Sequence, residues 1–334
     1  MTAWSTSALN GRLPPALLLM GPTASGKTAL AVKLARHLPL EVISVDSAQI
    51  YRDMNIGTAK PDAPTLARVP HHLIDIRRPD ERYSAAEFAR DALDRMEQVR
   101  ARGAIPLLVG GTMLYFKALT EGLSELPPAN PDIRAYLDAR AREIGWSALH
   151  QELARVDAQT AARLEPGDTQ RIQRALEVYL LTGQPMSTLL AIDRAQRPPY
   201  RMIKIALEPS ERRVLHERIR TRLVSMMADG LIGEVNSLRQ RYRLDPTLPS
   251  MRAVGYRQVW QYLDGDFGYD ELTAKAIAAT RQLAKRQLTW LRAMHEVRRF
   301  DCLAANLVDQ VLAYLESLGI GERDASDRLR DAAP

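Results

Sequence analysis

Gly21-Pro22-Thr23-Ala24-Ser25-Gly26-Lys27-Thr28 has the spacing of a phosphate-binding loop, with four residues between its glycines and then a lysine and a hydroxyl. The glycines let the backbone curl until several N–H groups point at one anion. Lys27 adds a mobile cation, and the Thr28 hydroxyl is a candidate Mg²⁺ ligand. ATP is a common occupant of such a loop, but any diphosphate fits the same cradle. A carboxylate, Asp46, is the candidate base. A carboxylate beside a phosphate loop can hold Mg²⁺, take a proton from a nucleophile, or merely cap the next turn.

These groups need a scaffold that aims them at one point. Ala16 to Met20 is a short apolar run fit for a buried strand, and Ala29 to Leu38 is a good helix former. Glu41 to Val45 reads as a second strand ending at Asp46, and Ile105 to Val109 as a third ending at Gly110-Gly111-Thr112. Parallel sheets bind ligands beyond the carboxyl ends of their strands, so Asp46 is expected on the same edge as the loop. His71 to Asp75 is a weaker strand, and Arg201 to Leu207 another. Ser84-Ala85-Ala86-Glu87 is a capping box opening a helix that closes at Gly103. Strand and helix alternate, which defines an α/β fold: a P-loop NTPase-like core with a parallel sheet.

From about Glu121 the pattern turns to helices only, with Asn130-Pro131, Ser147 and Asp168 as caps. Ile172, Ala175, Leu176, Tyr179 and Leu180 share helical spacing, and Gly183 ends that helix. The expected domains are residues 14–120 and 199–315 for the core, 121–198 for an inserted all-helical domain, and 316–334 for a disordered tail. Met1 to Pro15 reads as a loose leader. Long helices are expected from Ser210 to Arg241 and from about Glu271 to Met294.

The 334 residues are 46% hydrophobic and 26% charged, the composition of an ordinary soluble globular protein. A single cysteine, Cys302, excludes a disulfide framework and a cysteine-rich zinc site and fits a reducing cytoplasm. No early apolar run is long enough to span a membrane. The net charge of +6 points to an anionic partner, nucleic acid first.

The placement of that charge is more telling than its size. On the last long helix Ile277, Leu283, Ala284, Trp290, Leu291 and Met294 share one side, while Arg281, Lys285 and Arg292 share another, with Lys275 and Arg286 adjacent. A basic face without matching acids suits a phosphate backbone, though it also suits solvent. Arg218-Ile219-Arg220-Thr221-Arg222 and Arg252-Ala253-Val254-Gly255-Tyr256-Arg257-Gln258 are further basic segments. Tyr256 can stack on a base or pack in a core. Gln170, Gln173 and Arg174 form a polar helix face that can read base edges or face water.

Read in order, the phosphate loop, Asp46-Ser47-Ala48-Gln49-Ile50-Tyr51, Ile56-Gly57-Thr58-Ala59-Lys60-Pro61, Gly110-Gly111-Thr112 and Arg252 to Gln258 resemble the bacterial tRNA dimethylallyltransferase family. The resemblance runs from about Pro14 to Asp301. It implies that the loop binds the diphosphate of dimethylallyl diphosphate rather than ATP. It implies an acceptor, N6 of the adenine 3′ of the anticodon, in tRNAs reading codons that begin with U. It also implies Mg²⁺ as cofactor. By the same resemblance Gly21, Pro22, Thr23, Ala24, Ser25, Gly26, Lys27 and Thr28 hold the diphosphate, with Thr23, Lys27, Asp46 and Arg222 catalytic. Arg218 and Arg220 are substitutes for Arg222. The tRNA would touch Asp46, Ser47, Ala48, Gln49, Thr112, Arg134, Gln170, Arg171, Ile172, Gln173 and Arg174. It would also touch Arg252, Ala253, Val254, Gly255, Tyr256 and Arg257, and Lys285, Arg286, Gln287, Leu288, Thr289, Trp290, Leu291 and Arg292. Two other readings remain: a small-molecule kinase using ATP, and a non-catalytic or ATP-hydrolysing RNA-binding module. The basic last helix has no purpose in the kinase, and the Asn-Lys-x-Asp signature of a GTPase is missing. The chain is expected to act as a cytoplasmic monomer.

Overall fold

The leucine- and valine-rich runs form one parallel sheet in the computed structural model, which describes residues 13–122, 126–192 and 198–321. Its strands are β1 (Pro15–Met20), β2 (Leu40–Val45), β3 (His71–His72), β4 (Ile105–Gly110), β5 (Arg201–Glu208) and β6 (Val297–Asp301). They lie in the order β3-β2-β4-β1-β5-β6, every pair parallel. The helices within and after this sheet are α1 (Lys27–Leu34), α2 (Ala63–Arg68), α3 (Ala85–Ala101) and α4 (Met113–Glu121). Then come α5 (Pro131–Ile144), α6 (Trp146–Val156), α7 (Ala158–Ala161), α8 (Thr169–Thr182) and α9 (Met186–Ile192). The chain closes with α10 (Arg212–Ala228), α11 (Leu231–Arg241), α12 (Tyr256–Leu263), α13 (Tyr269–Ala293) and α14 (Leu307–Ser317).

The central strand β1 is buried on both faces, which is why its sequence is a continuous apolar run rather than an alternating one. Leu17 and Leu19 pack with Leu30 and Leu34 of α1 and with Val311 and Leu315 of α14. Leu18 and Met20 face the opposite layer, with Phe88 of α3, Phe116 of α4, Ile219 of α10 and Leu291 of α13. Each such fully buried side chain contributes about 1.5–3 kcal/mol. The register then fixes the working edge: Gly110 pairs with Met20 on one side and Val45 on the other. The phosphate loop, Asp46 and Gly111 therefore leave the sheet at one level.

The chain divides into two compact units, Met1–Thr120 with Pro198–Pro334, and Glu121–Arg197. The second unit is helical, with a core of Leu137, Leu149, Leu153, Ile172 and Leu176. Within it Glu177 is fully buried and receives the Arg134 and Arg174 guanidinium groups and the Asn130 N–H. Burial alone would raise the Glu177 carboxyl; the hydrogen bonds from Arg134 and Arg174 outweigh it and hold it below the usual carboxylate range.

Several expectations need correction. The stretch 210–241 is two helices, α10 and α11, because Gly230 turns left-handed at φ 100° between them. The strand from His71 is only two residues long, since Leu73 and Asp75 have positive φ. Helix α1 ends at Leu34 rather than Leu38, and Gly145, not Ser147, is the N-cap of α6. Leu180 is 50% exposed, so the apolar stripe of α8 stops short of it. The chain stays ordered past 316: α14 runs to Ser317 and Ile320 is buried. The rest of the expected tail, and most of the expected leader, lie outside the described residues.

Candidate active site at the phosphate loop

Between β1 and α1 the loop folds into a cradle. Ala24 sits at φ 63°, a left-handed conformation that costs a non-glycine residue energy and marks a loop shaped for a ligand. Lys27 Nζ donates to the Gly21 and Pro22 carbonyls at 3.0 and 2.7 Å, so the ammonium is folded back over the loop. Burial lowers its pKa to about 8, against the opposing pull of Asp46 and with a further push from Arg222. The Ser25 hydroxyl is buried and has no hydrogen-bond partner among the described residues. A buried polar group without a partner is costly, and an anion in the cradle would satisfy it.

The loop is held from the far end of the chain. Thr23 N–H donates to Gln287 Oε1 at 2.8 Å, and Gln287 Nε2 donates to the Gly111 carbonyl at 2.9 Å. One amide on α13 thus ties β1's loop to β4's. A Cβ at Gly111 would lie 2.3 Å from that Nε2, so only glycine leaves room for the amide.

Asp46 follows β2. Its Oδ1 accepts from Ala48 N–H at 2.9 Å and Gln49 N–H at 3.4 Å, so the capping role is real. Its position is also chemical. Thr23, Lys27, Thr28, Asp46, Thr112 and Arg222 line one cavity of about 710 Å³, together with Arg252, Arg286 and Trp290. Asp46 is the only carboxylate among the described residues lining it, against four cations, Lys27, Arg222, Arg252 and Arg286. A second cavity of about 910 Å³ lies on the other flank of the loop, and Arg222 borders both. Arg218 borders only the second, and Arg220 pairs with Glu217, which favours Arg222 as the arginine at the loop. Neither a hydrogen bond nor an ion pair engages Arg222 among the described residues.

Some expected tRNA contacts have other work. Tyr256 is fully buried and donates to Glu234 Oε1 at 2.5 Å, so its ring cannot stack on a base. Burial and the Glu234 carboxylate push its hydroxyl pKa well up. Ile172, Leu288 and Leu291 are core residues, and Gln287 serves the loop. Arg134 and Arg174 are spent largely on Glu177, Gln173 bonds Asp138, and Arg171 pairs with Asp168. Conversely Trp290, expected on the apolar side of its helix, is 39% exposed at the cavity rim. Arg281, Lys285, Arg286 and Arg292 are exposed on α13 with no ion pair among the described residues; Lys275 alone of that face pairs, with Glu271.

A phosphate loop at the carboxyl edge of a parallel sheet, facing one acid across a cationic cavity, defines a P-loop α/β protein built around an anionic substrate. The chain belongs to the IPP transferase family, whose model matches residues 49–294. The tRNA dimethylallyltransferase of Nitrosospira multiformis is 58% identical over 92% of this chain and 95% of its own. That of Aromatoleum aromaticum is 59% identical over 89% and 94%. Among solved structures, the tRNA isopentenylpyrophosphate transferase of Bacillus halodurans is 37% identical, covers 91% of this chain and 96% of its own, and superposes with a TM-score of 0.66. A eukaryotic dimethylallyltransferase acting on tRNA, 22% identical, shares the fold with a TM-score of 0.75 over 93% of this chain and 81% of its own. No described helix is long and apolar enough to cross a membrane.

Proposed function

We propose that this chain, a tRNA dimethylallyltransferase by family, moves the dimethylallyl group of dimethylallyl diphosphate onto N6 of adenine 37, next to the anticodon, in tRNAs reading codons that begin with U. The observation that carries this reading is one cavity lined both by the phosphate loop and, among the described residues, by a single carboxylate.

The chemistry follows from that pairing. An adenine amino group is a poor nucleophile, because its lone pair is delocalised into the ring. Asp46 accepts its N–H, raising electron density on nitrogen, and takes the proton as the new C–N bond forms. The C1–O bond of the allylic diphosphate breaks at the same time, and the electron pair leaves with the diphosphate. Positive charge developing on the allylic carbon is delocalised. The growing charge on the leaving group meets fixed donors: the loop N–H groups, Thr23, Lys27 and Arg222. The target base must leave the anticodon stack to reach Asp46.

The donor set fits Mg²⁺ held mainly by the diphosphate itself. The Thr28 hydroxyl and the Asp46 carboxylate line the same cavity, and a cluster of three acidic, histidine or cysteine ligands is absent among the described residues. Mg²⁺ bound there would neutralise charge on the departing diphosphate.

The test uses radiolabelled dimethylallyl diphosphate, Mg²⁺ and unmodified tRNA. Label should pass to tRNA without ATP; phosphorylation of a metabolite at the expense of ATP instead would replace the reading. The unpaired cations of α13 suit the tRNA backbone. Lys285→Ala and Arg292→Ala should each weaken tRNA binding and lower the slope of log affinity against log salt by about 1. Unchanged slopes would leave that face in solvent.

A further inference from the structure

Glu234 lies on α11, outside every motif that pointed to the site, yet its carboxylate is saturated by one loop and a tyrosine hydroxyl. Oε2 accepts from Asn55 N–H at 2.9 Å and Ile56 N–H at 2.7 Å; Oε1 accepts from Gly57 N–H at 3.3 Å and from the Tyr256 hydroxyl. Three successive backbone donors on one carboxylate form a nest around an internal anion. The fit is close: a Cβ at Gly57 would lie 2.5 Å from the Tyr256 ring. The loop so gripped borders both cavities, with Asn55 and Ile56 on one, Gly57 and Thr58 on the other, and Ala59 on both.

The grip continues to the base. Gln49 Nε2 donates to the Thr58 and Ala59 carbonyls at 3.3 and 3.4 Å, and its Oε1 accepts from Ser44 Oγ at 3.0 Å, which fixes the amide's orientation. Gln49 N–H is one of the two donors on Asp46 Oδ1. An unbroken chain of contacts therefore runs from Glu234 through residues 55–59 and Gln49 to Asp46.

We infer that Glu234 is a positioning residue for the transfer reaction, setting the Asp46 carboxylate against the acceptor amino group through the 55–59 loop. The inference rests on the reading of Asp46 as base. An amide at 234 can accept on one oxygen only and turns an NH₂ toward backbone donors, so Glu234→Gln should release one side of the loop. Small displacements of reacting groups are expensive. Glu234→Gln should slow single-turnover transfer by about 100-fold, with tRNA affinity held within about threefold.

A general loss of structure would also slow the enzyme, so the deciding measurement is a double-mutant cycle with Asp46→Asn. If Glu234 acts through Asp46, the double variant should be no slower than Asp46→Asn alone. Rates that multiply would overturn the inference, as would a Glu234→Gln enzyme within about threefold of wild type. Gln49→Ala breaks the same chain at another link, leaves α11 intact, and should behave likewise in the cycle; multiplying rates there would also overturn it. The wild-type rate separates the two levels. An inert wild type sinks the prenyl-transfer reading, whereas an active wild type with independent Glu234 and Asp46 sinks the positioning role alone.

Discussion

Asp46→Asn should lower the rate of the chemical step by about 10²–10⁴ while leaving tRNA affinity nearly unchanged. The substitution separates two jobs that the structure assigns to one side chain. Asp46 Oδ1 accepts from the Ala48 and Gln49 N–H groups, and an asparagine carbonyl can take both bonds. The turn after β2 therefore survives, and only the capacity to hold a proton is lost. Asp46→Ala removes the cap as well and should cost a further about 1 kcal/mol of local stability. The measurement is single-turnover transfer at saturating dimethylallyl diphosphate, beside tRNA binding by filter retention. An Asp46→Asn enzyme retaining more than about a third of the wild-type rate would leave Asp46 as a cap and nothing more.

What the sequence made legible was local. The phosphate loop declares itself within eight residues, and the Ser84 capping box within four, with both of its bonds present in the structure. Asp46 was placed correctly because a strand's end and a sheet's edge follow from the apolar run before it. The failures were of two kinds. Strand β6, Val-Arg-Arg-Phe-Asp, was missed because an edge strand needs only one apolar anchor per face, here Val297 and Phe300, and its arginines can stand in solvent. The tertiary clamps were beyond reach. Gln287 finds Thr23 across 264 positions, and Glu234 finds Asn55 across 179. Resemblance to a family marks a segment but not the direction of its side chains. Within Lys285 to Arg292, Lys285 and Arg292 face outward, Leu288 and Leu291 are core, and Gln287 serves the loop.

Affinity for dimethylallyl diphosphate, measured without tRNA, should stay level up to about pH 8 and then weaken by as much as tenfold per unit. The cause is Lys27. Burial has lowered its pKa to about 8 in the free enzyme, so much of it is neutral at mildly alkaline pH. A bound diphosphate favours the ammonium and raises that pKa. Binding strength is therefore complete below the free value and falls as pH climbs from about 8 toward the bound value. The ligand does not confuse the reading, since phosphate esters lose their second proton near pH about 6. Calorimetry in two buffers of different ionisation enthalpy should detect proton uptake on binding once the pH rises above about 8. Lys27→Ala should lose about 2 kcal/mol of affinity, the strength of a charge-assisted hydrogen bond, and should lose the alkaline decline with it. The two variants are linked, because Asp46 is the charge that holds the Lys27 pKa up against burial. Asp46→Asn should therefore move the start of the decline below pH 8. A decline of equal slope in wild type and Lys27→Ala would assign the titration to another group and take Lys27 off the diphosphate.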